Sequence, residues 1–213
     1  MLRQAGSARA QEDDVSTRLL SAALAQFEDF GLRRTTIEDI ARRAGVSRVT
    51  VYRRFGNKET LARAVVLREL QRFLFELDQA VGTIDDPVER LAEGFAFSLR
   101  YVRNHTLVDR LLRTEPDALL PYLTLDAGPV LGVARQFIAE RMSEEIDKGR
   151  IPPIEVELAG EMLARLVLSF LLTPQTSASI ETAEEARDFA RRYLAPALLA
   201  SAAKPSSRKR ATR

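Results

Sequence analysis

The sequence predicts an all-α fold of about nine helices, and three observations predict it. Apolar residues recur at spacings of three, four and seven from Leu19 to Leu198. No stretch alternates with the period of two that a half-buried strand requires. Capping residues, glycines and prolines punctuate the pattern where helices would start and stop.

Residues 1–14 read as a disordered arm. Ser16 or Thr17 opens the first helix, whose apolar face is Leu19, Leu20, Ala23, Leu24 and Phe27, and Gly31 ends it. Thr35 or Thr36 caps the second helix; Glu38, three residues after Thr35, has the spacing of a reciprocal capping box. Ile37, Ile40, Ala41 and Ala44 make that helix apolar on one face, and Gly45 closes it because glycine takes a left-handed backbone without steric cost. Ser47 caps a third helix through Arg53. Asn57 and Lys58 open a long fourth helix to about Val81. Asp86, Pro87 and Glu89 give a cap, a first-turn proline and a carboxylate at the start of a helix reaching Asn104. A shorter helix or pair spans Leu107–Leu125, interrupted near Pro116 and Pro121. A helix from Gly128 to Lys148 stops at Gly149, and two final helices cover 154–173 and 183–200, the last opened by a capping box from Thr182 to Glu185.

Composition bounds the function. A chain of 213 residues that is 46% apolar and 29% charged can bury a sizeable core in one or two domains. It has no cysteine, hence no disulfide framework or thiolate chemistry, and its single histidine, His105, argues against His-rich metal or acid–base sites. No apolar run approaches the roughly 20 residues of a membrane span, and the polar start, with Glu12, Asp13 and Asp14, lacks a signal-peptide apolar region. A cytoplasmic protein is expected. Residues 1–58 hold 11 Lys/Arg against 7 Asp/Glu, residues 59–200 hold 16 against 23, and residues 201–213 hold 5 against none. Basic ends around an acidic middle suit an N-terminal segment that meets nucleic acid, although a solvated surface has the same signature.

The pair of short helices between Thr35 and Phe55 has the layout of a helix-turn-helix, with Arg48, Thr50, Arg53 and Arg54 on the outer face of its second helix and Tyr52 beside them. Residues 17–62 resemble the DNA-binding domain of TetR-type transcriptional regulators: the Phe27–Gly31 helix end, T-T-I-x-x-I-A at 35–41, A-G-V-S at 44–47 and T-V-Y-x-x-F-x-N-K-x-x-L at 50–61 follow that family's order and spacing. The resemblance implies a helix-turn-helix domain over 15–62, a helical effector-binding and dimerisation domain over 63–200, and leaves 201–213 as a disordered basic tail.

By position, the resemblance assigns Arg48, Val49, Thr50 and Arg53 to base edges or nearby backbone, and Thr36, Tyr52 and Lys58 to phosphates, with Ser47 and Arg54 in the same interface. The chemistry agrees: arginine pairs bidentately with guanine, and threonine offers a hydroxyl and a methyl. Phe97, Tyr101, Leu112, Phe137, Arg141 and Phe170 are candidates for a small-molecule pocket, though each serves equally as core. Arg141 and His105 are the groups that could offer polar contacts inside such a pocket, although His105, at an expected helix end, reads first as a cap or surface residue. Leu158, Met162, Leu166, Phe189 and Tyr193 are candidates for a dimer interface, since family members pair their last two helices with those of a second copy.

The expectation is a homodimeric repressor that a small apolar or aromatic effector releases from a palindromic operator in double-stranded DNA, with no catalytic residues, metal, cofactor or membrane contact. Two alternatives stand beside it: a DNA-binding dimer without an effector, and an enzyme or small-molecule-binding protein carrying a helix-turn-helix. The sequence contains no nucleophile–base pair, metal cluster, GxGxxG or P-loop to support the latter.

Overall fold

The computed structural model describes residues 2–199, with side chains from Asp14 onward. These residues form helices and connections only, as the periodicity predicts. In order they are α1 (Leu2–Arg34), α2 (Ile37–Ala44), α3 (Arg48–Phe55), α4 (Lys58–Val81), α5 (Pro87–Arg103), α6 (Thr106–Thr114), α7 (Pro116–Leu123), α8 (Gly128–Asp147), α9 (Val156–Leu172) and α10 (Ala183–Phe189). A π-helical turn, Ala190–Leu194, carries α10 on into Ala195–Leu198. In that turn the N–H of Ala195 reaches the carbonyl of Ala190, just ahead of Pro196, which has no N–H to offer the carbonyl four residues back. The tail 201–213 lies outside the described residues.

Two helix starts differ from the sequence expectation. Helix α1 begins at Leu2, so most of the stretch expected as a disordered arm has helical backbone; its leucine, glutamine, arginine and alanines are good helix formers. Gly31 does break the helix, with φ 84° and ψ 169°, before a last turn to Arg34. The capping box of α2 is made by Thr36 and Asp39, not by Thr35 and Glu38. Thr35 is instead buried, its hydroxyl donating to the carbonyls of Gly31 at 2.7 Å and Gln26 at 3.2 Å, which fixes the exit of the chain from α1.

Two apolar cores hold the helices. The first gathers Leu19, Ala23 and Phe27 of α1, Ile40 and Ala41 of α2, Val51 of α3 and Leu61 and Val65 of α4. Leu107 and Leu111 of α6 and Leu119 and Leu123 of α7 belong to this same core, so two helices from beyond residue 62 complete the N-terminal unit. The second core joins Phe95 and Leu99 of α5 with Met142, Leu163, Ile180 and Leu194. Helix α4 runs alongside both α1 and α5 and α8, and so connects the two ends of the molecule.

Candidate functional site

The α2–α3 pair is built by local chemistry. Gly45 takes φ 66°, ψ 35°, and this left-handed step lets the N–H of Val46 bond to Ala41 at 3.0 Å and turns the chain within three residues. Ser47 then caps α3 by accepting from the N–H of Thr50 at 3.2 Å. Val51 is fully buried beneath α3, which packs on α2 and α4. That anchor leaves Arg48, Val49, Tyr52 and Arg53 exposed on the opposite side, with Val49 68% and Tyr52 52% accessible. Exposing a valine and a tyrosine among arginines on an eight-residue helix gives apolar and ring contacts beside bidentate donors, a composition suited to groove edges and thymine methyls.

The remaining predicted interface residues sit differently. Thr50 is half-buried and its hydroxyl lies 3.0 Å from that of Ser47. Arg54 turns toward α1 and donates to the Ser16 hydroxyl at 3.3 Å. Thr36 is exposed, with its hydroxyl donating to Asp39 at 2.6 Å; that bond is the main reason the Asp39 carboxyl is held below its ordinary value. Lys58 departs furthest from expectation. Its ammonium donates to the carbonyls of Leu32 at 3.0 Å, Thr35 at 3.1 Å and Arg33 at 3.4 Å. All three of its N–H donors are thereby directed at the end of α1, where orphan carbonyls favour a cation. Lys58 thus clamps the start of α4 to the entry to α2.

Beneath the N-terminal unit, a cavity of about 520 Å³ runs between α4, α5, α6, α8 and α9. Of the predicted pocket residues, Tyr101, Phe137 and Arg141 line it. Three do not. Phe97 stacks on Phe73 and Tyr101 with Arg100 over its ring; Leu112 packs on the first core; Phe170 meets Phe95 and Phe189 edge-on in the second. Helical periodicity marks all of these as inward-facing but cannot tell a void from a filled core. His105 also lines the cavity. It is at the N-cap position of α6, yet its side chain makes no capping bond and is only 14% exposed, so the expectation of a cap or surface residue fails on the side-chain level.

Arg141 and His105 were the polar contacts open to the sequence; the acidic groups of this cavity were not, because most of their partners are distant along the chain. Glu69 faces His105, with Oε2 3.8 Å from Nε2; the interaction with that imidazole, outweighing burial, keeps the Glu69 carboxyl below its ordinary value. Asp78 pairs with Arg141 at 2.8 Å. Glu145, 4% exposed, accepts from Arg90 at 2.5 Å and Arg150 at 2.6 Å, and the Arg150 bond chiefly holds its carboxyl low.

A second missed feature joins α6–α7 to α1. Glu115 accepts from the backbone N–H of Arg33 at 2.8 Å, Arg33 pairs with Asp117, and Arg110 donates to the carbonyl of Glu28. A Cβ at Gly31 would run into the Glu115 carboxylate, so the glycine serves the approach as well as the turn.

At the far end, Leu158, Met162 and Tyr193 are 54%, 50% and 56% exposed on α9 and the α10 continuation. Leu166 and Phe189, predicted with them, are half-buried and pack on the second core. Among the described residues no group of acidic, histidine or cysteine side chains could hold a metal, and no helix is long and apolar enough to cross a membrane.

Comparison with known proteins agrees with this architecture. Residues 19–65 match the model for bacterial regulatory proteins of the tetR family, and residues 86–192 match that for the C-terminal domain of the bacterial tetracyclin repressor. An uncharacterized HTH-type transcriptional regulator of Mycobacterium tuberculosis is 29% identical over 158 residues, 74% of each chain. UidR of Escherichia coli K12 is 27% identical over 179 residues, 81% of this chain and 84% of its own. The crystal structure of the TetR family repressor AlkX from Dietzia sp. superposes with a TM-score of 0.69 at 28% identity, covering 86% of this chain and 94% of that one. QsdR of R. erythropolis shares the fold, with a TM-score of 0.67 at 22% identity over 91% and 98% of the chains.

Proposed function

Since this chain belongs to the TetR family of transcriptional regulators, we propose that it is a dimeric repressor released from a palindromic operator by an apolar small molecule. The observation that carries this is the pairing of two features on one scaffold: an outward-facing α3 rich in arginine and an apolar cavity lined by the same helix, α4, that supports α3. We assign Arg48, Val49 and Arg53 to base edges, and Ser47, Thr50, Tyr52 and Thr36 to backbone positioning. The N-terminal unit, 15–62 with α6 and α7 packed on it, is the DNA-binding domain. The rest, to residue 200, takes the effector and dimerises. The reading gives the chain no catalytic role and places it in the cytoplasm with its DNA.

Two-fold pairing through Leu158, Met162 and Tyr193 would set two copies of α3 in successive major grooves, roughly 34–36 Å apart. The Dietzia repressor is implicated in biodegradation of n-alkanes, and an apolar effector likewise suits the cavity wall here. A ligand shifts DNA affinity only by the difference in its affinity for two states of the dimer. Sedimentation of the chain with duplex DNA tests the reading: two chains should bind per operator, and Met162→Glu should yield monomers of much weaker DNA affinity. Full affinity from a monomeric variant would remove the dimer from the mechanism.

A further inference from the structure

The polar groups of the cavity wall restrict what it can hold. The cavity follows α4 from Ala62 to Gly82, about 30 Å of helix at roughly 1.5 Å per residue. A cavity of about 520 Å³ lined along that length is an elongated channel, which suits an extended chain. Its walls are leucine, valine and phenylalanine, interrupted by a few charges, and each charge already has its opposite. Asp78 is covered by Arg141 at 2.8 Å. Glu145 is covered by Arg90 at 2.5 Å and by Arg150 and Lys148. Glu144 is covered by Arg141 at 2.5 Å, and Glu69 by Arg68 at 3.4 Å and by His105. An ionic ligand would therefore meet no unpaired counter-charge and would lose its hydration without return.

A buried ring nitrogen in the wall lacks a hydrogen bond. The Nδ1 of His105 is buried without a hydrogen bond, and its Nε2 is 3.8 Å from Glu69, beyond hydrogen-bond length. The Nε of Arg141 also lacks an aligned bond, but it lies 2.8 Å from Asp78 and is electrostatically satisfied. Buried polar atoms of native proteins are nearly always bonded, so the imidazole is where a ligand would gain most from one polar atom. A carboxylate placed there would also face Glu69, which is held ionised.

We propose that the effector is an elongated, uncharged molecule with an apolar chain and one hydrogen-bonding end group, such as an alcohol, aldehyde or ester, seated against His105. This rests on the effector reading above and names its ligand class. His105 starts α6, whose Leu107 and Leu111 pack in the same core as Phe27 of α1, so the end group would be bound next to the helix pair that carries α2 and α3.

The test uses the full chain and four probes of equal length below their micellar concentrations: decan-1-ol, decane, decanoate and decylammonium. Calorimetric dissociation constants should rank the alcohol about tenfold tighter than the alkane, as one buried hydrogen bond allows, and tighter still than either ion. His105→Ala should abolish the preference for alcohol over alkane, so that the two bind with equal affinity. Leu131→Trp, which fills the channel, should weaken all four probes and checks the site should the histidine variant fold poorly. Tighter binding of either ion, an alcohol preference that survives loss of His105, or no binding by any probe would overturn the ligand class. Operator release, read in the same samples, separates the two ideas: the predicted ranking without any change in DNA affinity would retain the class and remove the effector role.

Discussion

Replacing Lys58 by methionine keeps the length of the side chain and removes the ammonium that three α1 carbonyls share. Hydrogen bonds from charged groups contribute more than neutral ones, so stability should fall by about 2 kcal/mol, read as a lowered denaturant midpoint at unchanged m-value. A variant with unaltered midpoint but weaker DNA binding would return Lys58 to the phosphate role its sequence position implies. Arg48→Ala should behave oppositely: little change in stability, since the residue is exposed, but relaxed base preference in binding to duplexes that vary at one position. Glu145 carries a pH prediction. Its folded value is depressed by Arg150 and Arg90, so its stabilisation is complete above the ordinary carboxylate range and is lost as pH falls through it. Glu145→Gln should lower Tm by several degrees at neutral pH and flatten the acid side of the Tm-against-pH curve; an unchanged acid side would deny the triad that role.

At the scale of elements, the capping box of α10 and the α2–α3 turn were legible because their chemistry is confined to four or five neighbouring residues. Thr182 with Glu185, Ser47 ahead of α3 and Asp86 ahead of α5 all stand where spacing placed them. The choice between Thr35 and Thr36 was not legible, because it depends on which hydroxyl the end of α1 buries. The pocket was half legible for a related reason. Apolar spacing identified inward faces, yet whether Phe97 and Phe170 border a void depends on neighbours many residues away. The latch of Glu115, Asp117 and Arg110 on α1 spans more than 80 residues and leaves no periodic trace. Arg110→Ala removes one of its bonds without touching the cavity or α3. Weakened coupling should appear as a smaller effector-induced loss of operator affinity with little change in ligand binding itself; coupling equal to that of the parent chain would exclude the latch from the relay.

Across the whole molecule, charge and shape divide the labour. The basic N-terminal segment holds the exposed arginines of α3, whereas residues 59–200 carry seven more acidic than basic groups and enclose the channel. In the proposed dimer, such a division would keep DNA at one end and let an uncharged ligand act from within, through packing, without competing for phosphate contacts. DNA affinity should fall steeply with salt, by close to one power of salt concentration for each phosphate contact, while effector affinity should scarcely respond. The most direct test of a sequence-specific dimer is selection of binding sites from random duplex DNA at near-physiological salt. An enriched inverted repeat, with half-sites about one helical turn apart, is the predicted result. Binding without any enriched sequence, fading as salt rises, would contradict the account and leave a nonspecific DNA binder.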